Sequence, residues 1–206
     1  VGLNYKPNAD TLIYGKMSTG YKAGGFDAVG TFKPETNTAY EGGMKLNFGP
    51  GSQHQFNIAG FYYDYKDLQN DVLLDAALGA QTFNSGKATI YGVEAEAVIQ
   101  LSDNDRFNAT FNYLYAKYDE FIASYAVLNP ANPNQTSLLI ADNPNLAGNR
   151  LAQTPKFVIG VGYEHIFDMG SAGTITANAF SRFKSDYFTS FFYYDDSSEA
   201  AYTQSD

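Results

Sequence analysis

Apolar and polar residues alternate with period two through most of this chain, most cleanly from Thr89 to Leu101. There Tyr91, Val93, Ala95, Ala97, Ile99 and Leu101 fall on one side, and Gly92, Glu94, Glu96, Val98 and Gln100 on the other. Successive side chains of a strand point to opposite faces, so the segment predicts a strand dividing an apolar environment from a polar one. Two architectures satisfy that pattern. A soluble sheet does so with a core on one side; a membrane barrel does so with lipid outside and water or a plug within.

The same reading predicts about seven strands. The first spans Asp10 to Tyr21, with Ile13, Gly15, Met17, Thr19 and Tyr21 opposing Tyr14, Lys16, Ser18 and Gly20. Loop-like sequence follows to about Asn37, and Thr38 to Phe48 alternates again before the turn Gly49-Pro50-Gly51-Ser52. Gln55 to Gln69 is a third strand with aromatics at both parities, so its facing stays open. A connection over Asn70 to Lys87 leads to Ala88–Leu101, then the turn Ser102-Asp103-Asn104-Asp105 and a strand over Arg106 to Tyr118. The longest irregular stretch, about Glu120 to Thr154, precedes strands over Pro155 to His165 and Gly173 to Tyr187. A loop of that length in a compact domain is usually functional or mobile.

After the first strand the connections run long, short, long, short, long, short, long. Antiparallel up-and-down strands joined this way collect short turns at one end and long loops at the other, as in outer-membrane barrels. Aromatics near the strand ends (Tyr21, Phe48, Tyr65, Tyr91, Phe107, Tyr118, Phe157, Tyr187) suit interfacial girdles. The fold class expected is therefore all-β, an antiparallel up-and-down transmembrane β-barrel segment. A soluble sandwich rarely needs four long loops on one side.

Composition narrows the function. The 206 residues carry no Cys, so disulfides, thiolate metal sites and Cys nucleophiles are excluded. The net charge of −9 and the scattered Lys and Arg argue against a nucleic-acid partner. No apolar run reaches the roughly 18 residues of a transmembrane helix, which leaves membrane-spanning strands untouched. The opening residues lack the charged start and apolar core of a signal peptide, as though the chain begins inside something longer.

Tyr14-Gly15-Lys16-Met17-Ser18-Thr19-Gly20-Tyr21-Lys22-Ala23-Gly24-Gly25-Phe26 resembles the barrel of TonB-dependent outer-membrane receptors. The likeness continues at Pro34-Glu35 with Tyr40-Glu41-Gly42-Gly43-Met44-Lys45, at Phe61 to Gln69, at Ala88 to Glu96, and at Leu151-Ala152-Gln153-Thr154-Pro155-Lys156. The phrases keep the family's order. The resemblance implies a plugged barrel of about 22 strands, of which residues 1–206 form one partial barrel domain from the latter half, without the plug or the terminal strands. It further implies active uptake across the bacterial outer membrane of a scarce large solute, a ferric siderophore complex, energised from the inner membrane through TonB.

Candidate chemistry is non-covalent. Loop aromatics offer stacking surface for a large ligand: Phe26, Phe32, Phe83, Tyr125, Phe191, Phe192, Tyr193 and Tyr194. Packing of loop against loop is the plainer role for any one of them. Lys16, Lys45, Arg182 and Lys184 are expected to face the lumen and to meet an anionic ferric chelate or the plug. Their plainer role is pairing along the wall with Glu41, Glu94, Glu96 and Asp186. Glu94 and Glu96 share a face like a glycosidase pair, but on a barrel wall such carboxylates line the lumen. His54 and His165 sit beside turns and supply neither a catalytic set nor a metal site. No enzyme activity, cofactor or metal is expected, and the expected partners are TonB, outer-membrane lipid and the solute. Three rivals stand beside this reading: a passive porin-like channel, a fibre-like fragment self-associating through its edges, and a carbohydrate-binding β-sandwich.

Overall fold

The computed structural model describes residues 1–27, 30–75, 79–84, 86–121, 126–128, 138–140 and 146–189. Within them the chain forms β1 (Gly2–Asn8), β2 (Thr11–Lys22), β3 (Gly25–Phe26), β4 (Thr31–Phe32), β5 (Glu35–Phe48), β6 (His54–Lys66) and β7 (Gln69–Asp75). It continues through β8 (Gly79–Asn84), β9 (Gly86–Ser102), β10 (Asp105–Phe121), β11 (Ala126–Leu128), β12 (Leu138–Ile140), β13 (Phe157–Asp168) and β14 (Thr174–Lys184). Eight of these make one sheet in the order β1-β2-β5-β6-β9-β10-β13-β14, and every pairing is antiparallel. Each long strand lies beside its successor. That is an up-and-down meander.

The eighth long strand is β1, which the sequence pattern leaves unassigned. Pro7 lies inside it and cannot donate to a ladder, which ordinarily argues against a strand. Here β1 is the edge of the described sheet, and its register with β2 becomes irregular between Tyr5 and Asn8. Adding it makes the alternation complete, because a two-residue turn joins β1 to β2. The third strand is shorter than its pattern: β6 stops at Lys66, and Asp67 takes a positive φ of 53° that ends it. Gln69 then opens a separate hairpin.

The long connections carry hairpins of their own: β3 with β4, β7 with β8, and β11 with β12. At the opposite end the turns are brief, with 3-10 turns at Pro50–Ser52 and Gly170–Ala172.

Register fixes the faces. Met17, Tyr40, Tyr62, Tyr91 and Tyr115 stand in one row across five strands. Tyr91 and Tyr115 stack at 4.5 Å between ring centroids, and Tyr40 and Tyr62 tilt together at 6.5 Å. Ile13, Met44, Ile58, Ala95, Phe111, Ile159 and Phe183 make a parallel row below. Among the described residues no second sheet covers this apolar face: Tyr40 is 47% exposed, Tyr62 43% and Ile159 39%. A sandwich would bury these side chains beneath a second sheet, as the carbohydrate-binding reading requires; the described face is open, as in a barrel wall. A continuous apolar surface of this extent needs a non-aqueous neighbour.

The mixed aromatics of β6 are resolved by the same pairing. Phe56, Ile58 and Tyr62 share the apolar face with Val93's side of β9, while Phe61, Tyr63 and Tyr65 point to the polar face. Tyr65 and Tyr118, expected in the interfacial girdle, lie on the polar face instead. Tyr118 is buried with Ala88, Phe121 and Leu146, and Tyr65, Leu68, Phe83 and Leu151 pack against them. This cluster is the hydrophobic core of the described residues. It sits at the long-loop end, where connections fold back over the sheet.

A membrane wall from aligned faces

Lumen-type charges predicted from sequence gather in three successive rows of the polar face. Lys16 stands beside Glu41. One row away, Tyr14, Gly43, Ala59, Glu94, Asn112, Val158 and Lys184 are in register across the strands. In the next, Leu12, Lys45, Asn57, Glu96, Thr110, Gly160 and Arg182 align. Seven charges dispersed over the sequence thus form one patch, basic at both flanks and acidic in the middle. With neighbouring strands roughly 4.8 Å apart, Glu96 lies about 14 Å from Arg182 across three strand spacings.

Local bonds orient the acids. Lys16 Nζ is 2.8 Å from Glu41 Oε2, and the Tyr14 hydroxyl donates to Glu41 Oε1 at 2.8 Å. Asn112 Nδ2 donates to Glu94 Oε1 at 2.9 Å, and Asn57 Nδ2 to Glu96 Oε2 at 3.2 Å. Glu94 and Glu96 therefore meet amides rather than the expected cations. Asn57 Oδ1 is buried and makes no hydrogen bond. These groups border a hollow of about 350 Å³ in the polar face, lined by Tyr14, Lys45, Asn57, Glu94, Glu96 and Asn112 among others. Asp186, expected as a wall partner for the lumen cations, pairs instead with Arg150 at 3.1 Å. Lys184 Nζ lies 5.1 Å from the Tyr187 ring.

Aromatic rings on this face cover glycines of the adjoining strand. A Cβ on Gly43 would meet the Tyr14 ring at 2.8 Å and Ile58 O at 2.7 Å; one on Gly92 would meet Phe61 Cζ at 2.7 Å. Gly160 and Gly162 lie under Phe180 in the same way, at 3.2 and 3.3 Å. Sequence alternation places these glycines on the polar side but carries no signal for their partners.

The loop aromatics separate into different environments. Phe26, in the hairpin β3–β4, is 84% exposed. Phe32 crosses that hairpin and lies over Gly25, where a Cβ would stand 2.8 Å from its ring. Phe83 meets Phe121 edge-to-face at 6.1 Å and joins the core cluster, so its ring packs the loop onto the wall. Tyr125, Phe191, Phe192, Tyr193 and Tyr194 lie outside the described residues.

Polar bonds join the first two long connections, and the sequence reading missed them. Gln69, only 8% exposed, donates from Nε2 to Ala23 O and Lys33 O, both at 3.0 Å. Its backbone N–H donates to Glu35 Oε2 at 2.9 Å. Asn84 accepts from the Lys33 N–H at 2.7 Å and donates to Lys33 O and Asp67 O. Thr82 N–H donates to Asp27 Oδ2 at 2.8 Å. At the other loop, the Arg150 guanidinium bonds Thr154 O and Asp186, and lies 5.5 Å from the Phe188 ring.

At the short-turn end, Asp105 accepts from the Ser102 and Tyr163 hydroxyls and stands 2.6 Å from His165 Nδ1. His54 Nδ1 accepts the Gln100 N–H at 3.1 Å. Both histidines thus bind their own strand neighbours beside the turns.

An antiparallel meander with one apolar face, one polar face and all long loops at one end defines the wall of a membrane β-barrel. The chain belongs to the TonB-dependent receptor family: residues 1–206 match the family described as "TonB dependent receptor-like, beta-barrel". Solved structures share the fold. The ferric yersiniabactin uptake receptor FyuA from Yersinia pestis is similar with a TM-score of 0.68 at 19% identity, covering 92% of this chain and 26% of its own. BauA, the ferric preacinetobactin receptor from Acinetobacter baumannii, gives 0.63 at 14% identity, with 92% and 26% coverage. The copper transporter OprC gives 0.59 at 16% identity, with 88% and 25% coverage. The chain therefore spans about a quarter of the length of each. A comparison with curated protein sequences gives no match.

Proposed function

We propose that this chain is part of the wall of an outer-membrane receptor that imports a ferric siderophore complex with energy delivered through TonB. The observation that carries the reading is the shared register of the two faces: an apolar row and a polar row each continue from β2 to β14. Residues 1–206 act as one partial barrel domain. Further strands of the receptor cover the outer edges of β1 and β14, since open edges are not tolerated in lipid.

On this reading the three charged rows face a plug. Acids held by Asn57 and Asn112, with Asn57 Oδ1 lacking a donor, suit plug groups rich in N–H. Lys45, Arg182 and Lys184 flank them and suit anionic groups of the plug or the passing chelate. Phe26 and Phe32 offer stacking surface to the chelate, Phe83 supports the loop behind them, and Tyr125 with Phe191 to Tyr194 extend the aromatic set on sequence grounds. The residues named act by binding and orientation, with no covalent step. FyuA is described as a ferric yersiniabactin uptake receptor, BauA as a ferric preacinetobactin receptor and PirA from Acinetobacter baumannii as a siderophore receptor, which supports the solute class.

The test is uptake by iron-limited cells of ⁵⁵Fe carried on hydroxamate, catecholate and phenolate chelators. Deleting this receptor is expected to abolish uptake of one of the three, and deleting TonB to have the same effect. Uptake that survives loss of TonB identifies a passive channel. A receptor deletion that leaves all three unchanged refutes iron import.

A further inference from the structure

We infer that Gln69 is a latch that makes the first two long connections a single rigid wall, so that the aromatic hairpin β3–β4 is positioned by the hairpin β7–β8. One amide does this because Ala23 and Lys33 lie on opposite arms at the neck of the first connection. The two Nε2 hydrogens of Gln69 reach one carbonyl on each arm. The residue is part of the second connection and is nearly sequestered from water at 8% exposure, so neither bond competes freely with solvent. Its backbone N–H is held by the Glu35 carboxylate where β5 begins, which ties the latch to the barrel wall.

Two further contacts work with it. Asn84 closes a reciprocal pair with Lys33, accepting its N–H and donating to its carbonyl. Farther out, the Thr82 N–H reaches Asp27 Oδ2, and the same carboxyl group's Oδ1 accepts the Gly30 N–H. The β3–β4 pairing itself is two residues long, too brief to hold a hairpin unaided. Its position therefore depends on bonds from the second connection, with Gln69 at a point where both arms are gripped by one side chain. Phe26 on the hairpin is left projecting at 84% exposure.

As a latch the proposal stands on geometry alone; as a determinant of chelate capture it rests on the transport reading above. The experiment uses the whole receptor in outer-membrane vesicles, comparing wild type with Gln69→Glu and Gln69→Leu. Gln69→Glu nearly keeps the shape but sets a carboxylate against two carbonyl oxygens, separating donor function from packing. Barrel folding in each variant is checked by the heat-dependent gel shift. Hydrogen exchange at the Lys33 and Thr82 amides is expected to accelerate together by at least tenfold in Gln69→Glu, while amides within β6 and β9 keep wild-type rates. Wild-type rates at both amides, or acceleration at one alone, overturns the latch.

The second arm measures half-saturation for the ⁵⁵Fe chelator panel. A tenfold or greater rise at unchanged plateau, reversed by a disulfide across the paired positions (D27C with T82C), supports positioning of the capture surface. Unchanged half-saturation despite accelerated exchange overturns the capture role and leaves the latch standing. Wild-type vesicles that bind none of the panel overturn the transport reading and with it the capture role, while the exchange result still decides the latch.

Discussion

At the scale of single residues, the same residue type performs different work according to the face it occupies. Phe121 is fully buried in the cluster at the long-loop end, whereas Phe26 projects from its hairpin. Truncating a buried Phe removes transfer energy and leaves a cavity, so Phe121→Ala is expected to destabilise the barrel by about 3–5 kcal/mol. Phe26→Ala is expected to leave urea unfolding unchanged and, on the proposed uptake function, to raise half-saturation for a ferric chelate. Chemical unfolding in detergent, read by far-UV circular dichroism, checks the first; vesicle binding checks the second. Glycines supply a second contrast. Gly43 lies beneath the Tyr14 ring and against Ile58 O, so Gly43→Val forces backbone or ring to move. A cost of about 1–3 kcal/mol is expected from that overpacking, measured by the same unfolding. By contrast, a Cβ on Gly20 enters open space, and Gly20→Ala is expected to be neutral in that measurement.

At the scale of strands, face assignment predicts which substitutions the element tolerates. Val93 and Asn112 lie on neighbouring strands but on opposite faces. An arginine on the lipid side near mid-membrane costs about 2–4 kcal/mol, and much less in the lumen. Val93→Arg is therefore expected to lower barrel stability by that amount while Asn112→Arg does not, as judged by urea midpoints in lipid vesicles. Equal effects would mean the two faces share one environment. Much of this was legible in the sequence. Period two in Thr89–Leu101 assigns every side chain of β9 to its face, because a strand has only two. The aromatics of β6 were not legible, since Phe56 and Tyr62 differ in parity from Phe61 and Tyr63. Only pairing with Val93 and Gly92 separates them. The strand β1 was hidden by Pro7, whose missing N–H falls in the irregular stretch between Tyr5 and Asn8, where no regular ladder bond is called for.

At the scale of the molecule, the alternation of short turns and long loops gave the up-and-down order, and the structure extends it by one strand. The charged patch was legible only in outline. Parity sends Glu94, Glu96, Lys45 and Arg182 to the polar side, but the register that aligns them belongs to the sheet and to no single segment. The latch at Gln69 was illegible for a similar reason. Its partners Ala23 and Lys33 are 46 and 36 residues away in sequence, and a glutamine amide carries no periodic signal. The central claim is that one face of this sheet meets lipid and the other an aqueous or protein-filled lumen. A nitroxide scan of β9 from position 90 to 99, one cysteine at a time in the membrane-embedded receptor, tests it most directly. Collision with oxygen is expected to peak at the odd positions, those of Tyr91, Val93, Ala95, Ala97 and Ile99, and collision with a water-soluble nickel complex at the even ones. Equal access of the nickel complex to both parities would contradict the membrane wall and the uptake function built on it.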